Sequence, residues 1–427
     1  MVAQSLAQKI IARAAGRDEV VPGEFVLVTP DYTVMCDIFW LKNMEHMEKI
    51  GVDRFARPDK VIAVIDHTTS AAIEPPYYKA HTSMKEFAKR TGFSNLFGVG
   101  SGLRHSVMVE EGFARPGLLV FSDERNLSAI GAVGSLNIAV SWEVLTTMVL
   151  DGNWVAVPES ARIELVGSFP FGVLVRDLVQ AINRDLGPSN SLLQKCVEYG
   201  GPALEQLPID DRMALLSSAY HAGADTAITN PDDTMLDYVE QRSNGRPYYD
   251  FTSDEDAVYA VDATFDLSAL APYVTVPPHQ HTVEEAQSIT GIPVDQATIG
   301  SCASNRLEDL RAAATVLEGR KVDPRVAMYI TPGSQNIYSA AAAEGLLRTF
   351  SDAGAIVLPP GCTTCWGYQG VLDDGQVSIS THQENYRGRN GSRTADVYLA
   401  SPYTVAASAI RGVITDPRDL LQERVTA

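Results

Sequence analysis

Apolar residues in this chain gather into short unbroken runs rather than alternating with polar ones. Lys60-Val-Ile-Ala-Val-Ile-Asp66, Asn95-Leu-Phe-Gly-Val-Gly100 and Leu118-Leu-Val-Phe-Ser122 are each closed by polar residues or glycine. Such runs mark strands buried on both faces, and so a mostly parallel sheet covered by helices. Upstream, the pattern predicts a surface helix ending near Gly16, an extended segment over 24–29 and a second helix over 31–51. Residues 82–90 have helical spacing, and the small residues of 128–140 suit close helix packing. The middle third reads as helix alternating with loop, with an edge strand at 162–166 and a solvated acidic stretch over 244–256. From residue 276 the α/β pattern resumes, with strands expected at 296–299, 325–330, 355–358 and 397–399. Leu307, Leu310, Ala314 and Leu317 form one apolar helical stripe that Gly319 ends. The chain therefore reads as α/β throughout, in three domains: 1–150, 151–275 and 276–427.

Composition narrows the partners. The length of 427 residues exceeds one ordinary domain. A formal net charge of −19 disfavours nucleic acid and anionic lipid. No apolar run reaches the roughly 18 residues of a membrane helix, and the N-terminus lacks a signal-peptide core. Five cysteines, an odd number in a long chain, do not form a disulfide framework, and a reducing, cytoplasmic compartment is expected.

The cysteines carry the sharpest chemical signal. Cys362-Thr-Thr-Cys365 follows an apolar run and two prolines, and Ile299-Gly-Ser-Cys302 repeats the arrangement sixty residues earlier, ahead of a helix. A zinc knuckle needs a second cysteine pair that is absent here, and a thioredoxin-type motif needs a different context. Three thiolates in two loops suit a 4Fe–4S cluster short of one protein ligand, and a helix N-terminus at Cys302 would favour its thiolate. Cys36 and Cys196 read as small buried residues in helices. Asp66, His67, His105 and Asp123 lie at or just after strand carboxyl ends, where α/β sheets bind ligands, and suit acid/base work. His46, His81, His279, His281 and His382 read as ordinary polar groups. Gly98-Val-Gly-Ser-Gly102 falls short of a dinucleotide fingerprint.

Taken jointly, these motifs resemble the aconitase superfamily, most closely the large subunits of 3-isopropylmalate dehydratase and homoaconitase. The resemblance rests on Lys60 to His67, Arg104-His-Ser-Val-Met-Val-Glu-Glu-Gly-Phe-Ala-Arg-Pro-Gly117, Trp154-Val-Ala-Val-Pro158, Asp266-Leu-Ser-Ala-Leu-Ala-Pro272, Ile299 to Cys302 with Arg306 to Ala313, Thr331-Pro-Gly-Ser334, Gly361 to Cys365 and Gly388-Arg389. It implies three α/β domains around a 4Fe–4S cluster held by Cys302, Cys362 and Cys365, with one iron open to a substrate hydroxyl and carboxylate. It implies acid/base and hydrogen-bonding roles for Asp66, His67, His105 and Asp123, and substrate binding by Arg389 and Ser304. The base in this family is a serine on a swivelling domain. That domain is expected on a separate small subunit, because this chain stops at Ala427.

Departures from the family pattern bear on the substrate. Asp-Ser-His becomes Asp123-Glu124-Arg125, an Asn and a Glu become Ser217 and His221, and the Asn-Arg-Asn-Phe motif becomes Gln383-Glu384-Asn385-Tyr386. Glu384 replaces a carboxylate-binding cation by an anion, which inverts the substrate group welcome there. One reading is a retuned hydro-lyase acting on a small hydroxy acid with an amine or amide facing Glu384, and with Arg125 and His221 joining the substrate contacts. The other is a non-catalytic cluster-binding paralogue acting as a scaffold or regulatory subunit.

Overall fold

The computed structural model describes residues 3–69 and 75–425. They form two compact units, one built from the N-terminal stretch to Leu165 and from Ser191–Phe265, the other from Val166–Asn190 and from Asp266 onward. In the first unit a five-stranded parallel sheet runs in spatial order Leu96–Phe97, Val61–Val64, Tyr32–Cys36, Leu119–Ser122 and Leu136–Ala139. A second sheet of this unit orders Thr226–Thr229, Lys195–Gly200, Glu159–Val166 and Val261–Asp266. Phe25–Val28 pairs antiparallel with Asn153–Ala156 as a ribbon, and its alternating exposed and buried residues fit a strand covered on one face.

Four sequence expectations change here. The helix expected over 31–51 is a strand, Tyr32–Cys36, followed by a helix, Trp40–Lys49. All five residues of Tyr32-Thr-Val-Met-Cys36 are buried between Val61–Val64 and Leu119–Ser122, so burial on both faces overrides the helical spacing. Cys36 and Cys196 accordingly sit on strands rather than helices. The middle third, expected as helix and loop, holds the four-stranded sheet, and its 162–166 segment belongs to an interior strand rather than an edge. The apolar helix after Cys302 begins only at Leu307, where the Asp309 carboxylate caps the Arg306 N–H at 3.0 Å.

The second unit contains one seven-stranded sheet, ordered Val283–Glu285, Tyr273–Thr275, Asp396–Ala400, Val377–Ser380, Gln296–Ile299, Ala327–Ile330 and Ile356–Val357. The last five are mutually parallel, and Tyr273–Thr275 pairs antiparallel with both its neighbours. Helices Leu307–Leu317, Leu346–Ala353 and Pro402–Arg411 pack Leu310, Leu317, Phe350 and Val405 onto Ala297, Ile299, Met328 and Ile379. Among the described residues no helix is long and apolar enough to cross a membrane.

Candidate functional site

In the first unit the charged side chains collect at the carboxyl ends of the parallel strands. Asp37 follows Tyr32–Cys36, Asp66 and His67 follow Val61–Val64, and Asp123 and Glu124 follow Leu119–Ser122. Arg104, on the first turn of the helix Arg104–Glu110, joins them. Its guanidinium is buried and pairs with Asp66 (Nε–Oδ2 3.2 Å), with Asp123 and with Glu124. Its backbone N–H also donates to Asp66 Oδ2 at 3.1 Å. The other Asp66 oxygen lies 2.7 Å from His67 Nδ1. Burial pushes the Asp66 carboxyl up, yet the charges of Arg104 and then His67 outweigh it and hold the group below its ordinary value.

Asp37 anchors the loop that carries His67. Its carboxylate accepts the N–H groups of His67 (3.2 Å) and Thr68 (3.0 Å) and the Thr68 hydroxyl. That hydroxyl meets His81 Nε2 at 2.7 Å. Despite desolvation, the bonds to His67 and His81 hold Asp37 well below the carboxylate range. Cys36, Asp37 and His67 place ligand atoms within 4.8 Å of one another, the one such group among the described residues. It reads as a hydrogen-bond knot rather than a cation site. Three donors already engage the Asp37 oxygens, and burial, against the opposing charge of Arg104, pushes the Cys36 thiol up to about 12.

Asp66, His67 and Asp123 are thus brought together, with His105 buried beside Arg104 on the same helix. Glu124 joins through Arg104, and desolvation raises its carboxyl. Arg125 turns elsewhere, with its half-exposed guanidinium 3.6 Å from Asp225. The His221 ring lies tilted by 39° against Tyr220 with centroids 3.8 Å apart, and the Ser217 hydroxyl donates to the Ala214 carbonyl at 3.0 Å.

The second unit carries the thiols. Cys302 lies in the turn after Gln296–Ile299, and the Cys362–Cys365 loop follows Ile356–Val357 with turns rather than a helix behind it. Thr381 fastens the Cys302 loop from the neighbouring strand: its hydroxyl accepts the Gly300 N–H (2.9 Å) and donates to the Gly300 carbonyl (2.8 Å), and its own carbonyl accepts Ser301 Oγ (3.0 Å). A Cβ at Gly300 would fall 2.9 Å from the Thr331 side chain, so glycine permits the close approach. Arg306 Nη2 donates to the Cys302 carbonyl at 2.7 Å.

Arg389 gathers around Cys365. Its Nε donates to the Cys365 carbonyl at 2.9 Å, Nη2 stands 3.8 Å from Sγ, and the guanidinium lies over the Trp366 ring at 4.4 Å. A hydrogen bond from Cys362 and the charge of Arg389 hold the Cys365 thiol well below its ordinary value against burial, and the same burial keeps the neighbouring His382 imidazole low. His382 Nε2 meets Thr364 Oγ1 at 3.1 Å, between the two cysteines in sequence. Glu384 is half-buried, with Gln280 Nε2 at 3.4 Å from Oε2. Ser304 is fully buried in the Cys302 loop.

In donor chemistry the three thiols suit a cluster. Each thiolate of a four-iron cluster binds its own iron, so single-ion spacing among the cysteines is not required. A thiol held low by Cys362 and by the Arg389 guanidinium is already disposed to ligate. Arg104, Asp37, His81 and His382 are the participants the sequence reading missed. Asp37 follows an apolar run just as Asp66 and Asp123 do, and reading 32–36 as a strand would have found it.

The model of the "Aconitase family (aconitate hydratase)" matches residues 8–283 and 278–412. The 3-isopropylmalate dehydratase large subunit 1 of Methanopyrus kandleri is 35% identical over 423 residues, spanning 98% of this chain and 100% of that one. The homoaconitase large subunit of Thermus thermophilus is 36% identical over 429 residues, spanning 99% and 100%. A crystal structure of Thermococcus kodakaraensis aconitase X (holo-form) aligns over 89% of both chains at 11% identity and a TM-score of 0.49. With family matches covering nearly its whole length, this chain belongs to the aconitase family.

Proposed function

We propose that this chain is the large subunit of a hydro-lyase that dehydrates, hydrates or isomerises a small hydroxy acid, with a 4Fe–4S cluster held by Cys302, Cys362 and Cys365. The observation that carries the reading is the one loop that delivers both Cys362 and Cys365, with Arg389 Nη2 3.8 Å from Cys365 Sγ. When bound, such a cluster with one open iron supplies a Lewis acid that makes a substrate hydroxyl a tolerable leaving group. In this reading Asp66 fixes the His67 proton on Nδ1, and Nε2 is the nitrogen that exchanges a proton with the departing or arriving water. Arg104 and Asp123 keep Asp66 in place, His105 joins the acid/base set, and Arg389 holds the cluster loop while presenting charge to substrate. The base serine comes from a small-subunit partner, in keeping with relatives named as large subunits.

Glu384 favours a substrate other than the usual dicarboxylate. Its half-buried anion replaces a cation, and a neutral or cationic substrate group is the better neighbour. The relatives carry enzyme names, and nothing favours the non-catalytic alternative.

The test is anaerobic reconstitution with iron and sulfide counting and electron paramagnetic resonance, on wild type and Cys365→Ser. Wild type should take up a four-iron cluster that Cys365→Ser largely loses while keeping its circular dichroism. Zinc without sulfide would falsify the assignment. The reconstituted chain, co-expressed with a small-subunit protein, is then assayed on hydroxy acids and their unsaturated products. If Glu384→Arg gains no turnover of an ordinary dicarboxylate, the retuned pocket is wrong.

A further inference from the structure

Ser304, Asn305 and Arg306 follow Cys302 directly, and all three are buried, at 2% exposure or less. Each carries side-chain atoms with no partner: Oγ of Ser304, both amide atoms of Asn305, and Nε and Nη1 of Arg306. Arg306 uses Nη2 on the Cys302 carbonyl, and among the described residues its guanidinium forms no ion pair. Buried polar groups are normally satisfied, and an arginine cannot shed its charge to escape burial. A lone buried cation is among the costliest groups a fold can hold. Three such side chains in succession mark a place that a polar ligand completes. Asn305 is also held close: its carbonyl accepts the Gly333 N–H at 2.8 Å, and a Cβ at 333 would fall 2.5 Å from its Oδ1.

We propose that Ser304, Asn305 and Arg306 form an anion seat beside Cys302 that takes a carboxylate of the substrate, with Arg306 supplying the charge. The seat rests on the hydro-lyase reading above and deepens it. Arg306 and Glu384 belong to the same unit, so the chain keeps a buried cation beside Cys302 although the arginine expected at 384 is a glutamate. The substrate is then a hydroxy acid with one carboxylate in this seat and a non-anionic group opposite Glu384. A cluster held by three thiolates is also negatively charged, so the two sources of anion must be separated.

The experiment uses the reconstituted full-length chain with its small subunit, as wild type, Arg306→Gln, Arg306→Lys and Asn305→Ala. Binding of acetate, glycolate and malonate is measured by calorimetry, and the cluster midpoint potential by a titration followed by electron paramagnetic resonance. Arg306→Gln should weaken glycolate binding about tenfold to a hundredfold, the loss of one charge-assisted contact. Arg306→Lys should recover part of it, with the potential unmoved. A lowered potential with glycolate binding unchanged assigns the cation to the cluster and overturns the substrate seat. Unchanged binding and potential overturn it too, as does wild type that binds none of the carboxylates. If Arg306→Gln does not fold, Arg306→Lys and Asn305→Ala decide the matter. A wild type without iron and sulfide fails the hydro-lyase reading itself, before any variant is measured.

Discussion

Both units contain five parallel strands in one spatial order, with the first strand in chain order at the centre, the second and third to one side, and the fourth and fifth to the other. The central strands are Tyr32–Cys36 and Gln296–Ile299, and the fourth strands Leu119–Ser122 and Val377–Ser380. Chemistry gathers at the carboxyl ends of these strands in each, as the switch point of a doubly wound sheet dictates. What differs is how far each unit satisfies itself. In the first, Arg104 pairs with Asp66, Asp123 and Glu124, and Asp37 is filled by three donors. In the second, Arg306 and Asn305 stay buried with open valences beside Cys302. Topology sets where the polar groups stand, and residue type sets whether their hydrogen bonds are filled from within the unit.

The contrast is broken most readily by removing the two arginines. Arg104→Met strands three carboxylates and should cost about 3–5 kcal/mol of stability in urea unfolding. Arg306→Met in the metal-free chain strands no partner charge and removes a lone buried cation, so it should leave stability unchanged or raise it by about 1–4 kcal/mol. Equal losses would show that the units do not differ in this way.

Acidity should act on the two units in opposite directions. Asp37 and Asp66 have depressed carboxyls, so their contribution is present above their ordinary values near pH 3.9 and is lost as pH falls through the folded ones. Asp177, buried in the second unit, is pushed up to about 7 by burial, against hydrogen bonds from the Leu174 and Tyr273 N–H groups. Its stability contribution is fullest below its ordinary value and fades as pH rises through about 7. Unfolding free energies between pH 4 and pH 8 should therefore fall on the alkaline side by on the order of a few kcal/mol, and Asp177→Asn should flatten that slope. A slope unchanged in Asp177→Asn would remove this residue as its source.

Thr381→Val is the smaller probe. It leaves the Gly300 N–H and carbonyl without their shared hydroxyl and should cost about 1–3 kcal/mol. It should also speed iron loss from the reconstituted protein by loosening the Cys302 loop. Unaltered iron retention would mean that the loop is held by other contacts.

Much of this was legible in the chain. The runs at 61–64, 119–122 and 296–299 identified buried parallel strands, and the polar residues closing them marked the reactive ends. The strand at 32–36 was not legible, since Tyr-Thr-Val-Met-Cys leads straight into a helical stretch and only its neighbours show both faces covered. Missing that strand hid Asp37. Arg104 was equally opaque, because its weight comes from three carboxylates 38, 19 and 20 positions away in sequence. The Asp225 carboxylate 3.6 Å from Arg125 is a neighbour that local spacing does not reveal.

The sequence by itself determined the family and the α/β class, because unbroken apolar runs and the spacing of short motifs are local properties of the chain. Only the tertiary structure decided which charges are neutralised and which stay open. Arg104 and Arg306 are both buried arginines on the first turn or cap of a helix, and nothing in their own surroundings in sequence distinguishes them. The distinction lies in what distant strands bring within hydrogen-bond reach, three carboxylates in one case and a single carbonyl in the other.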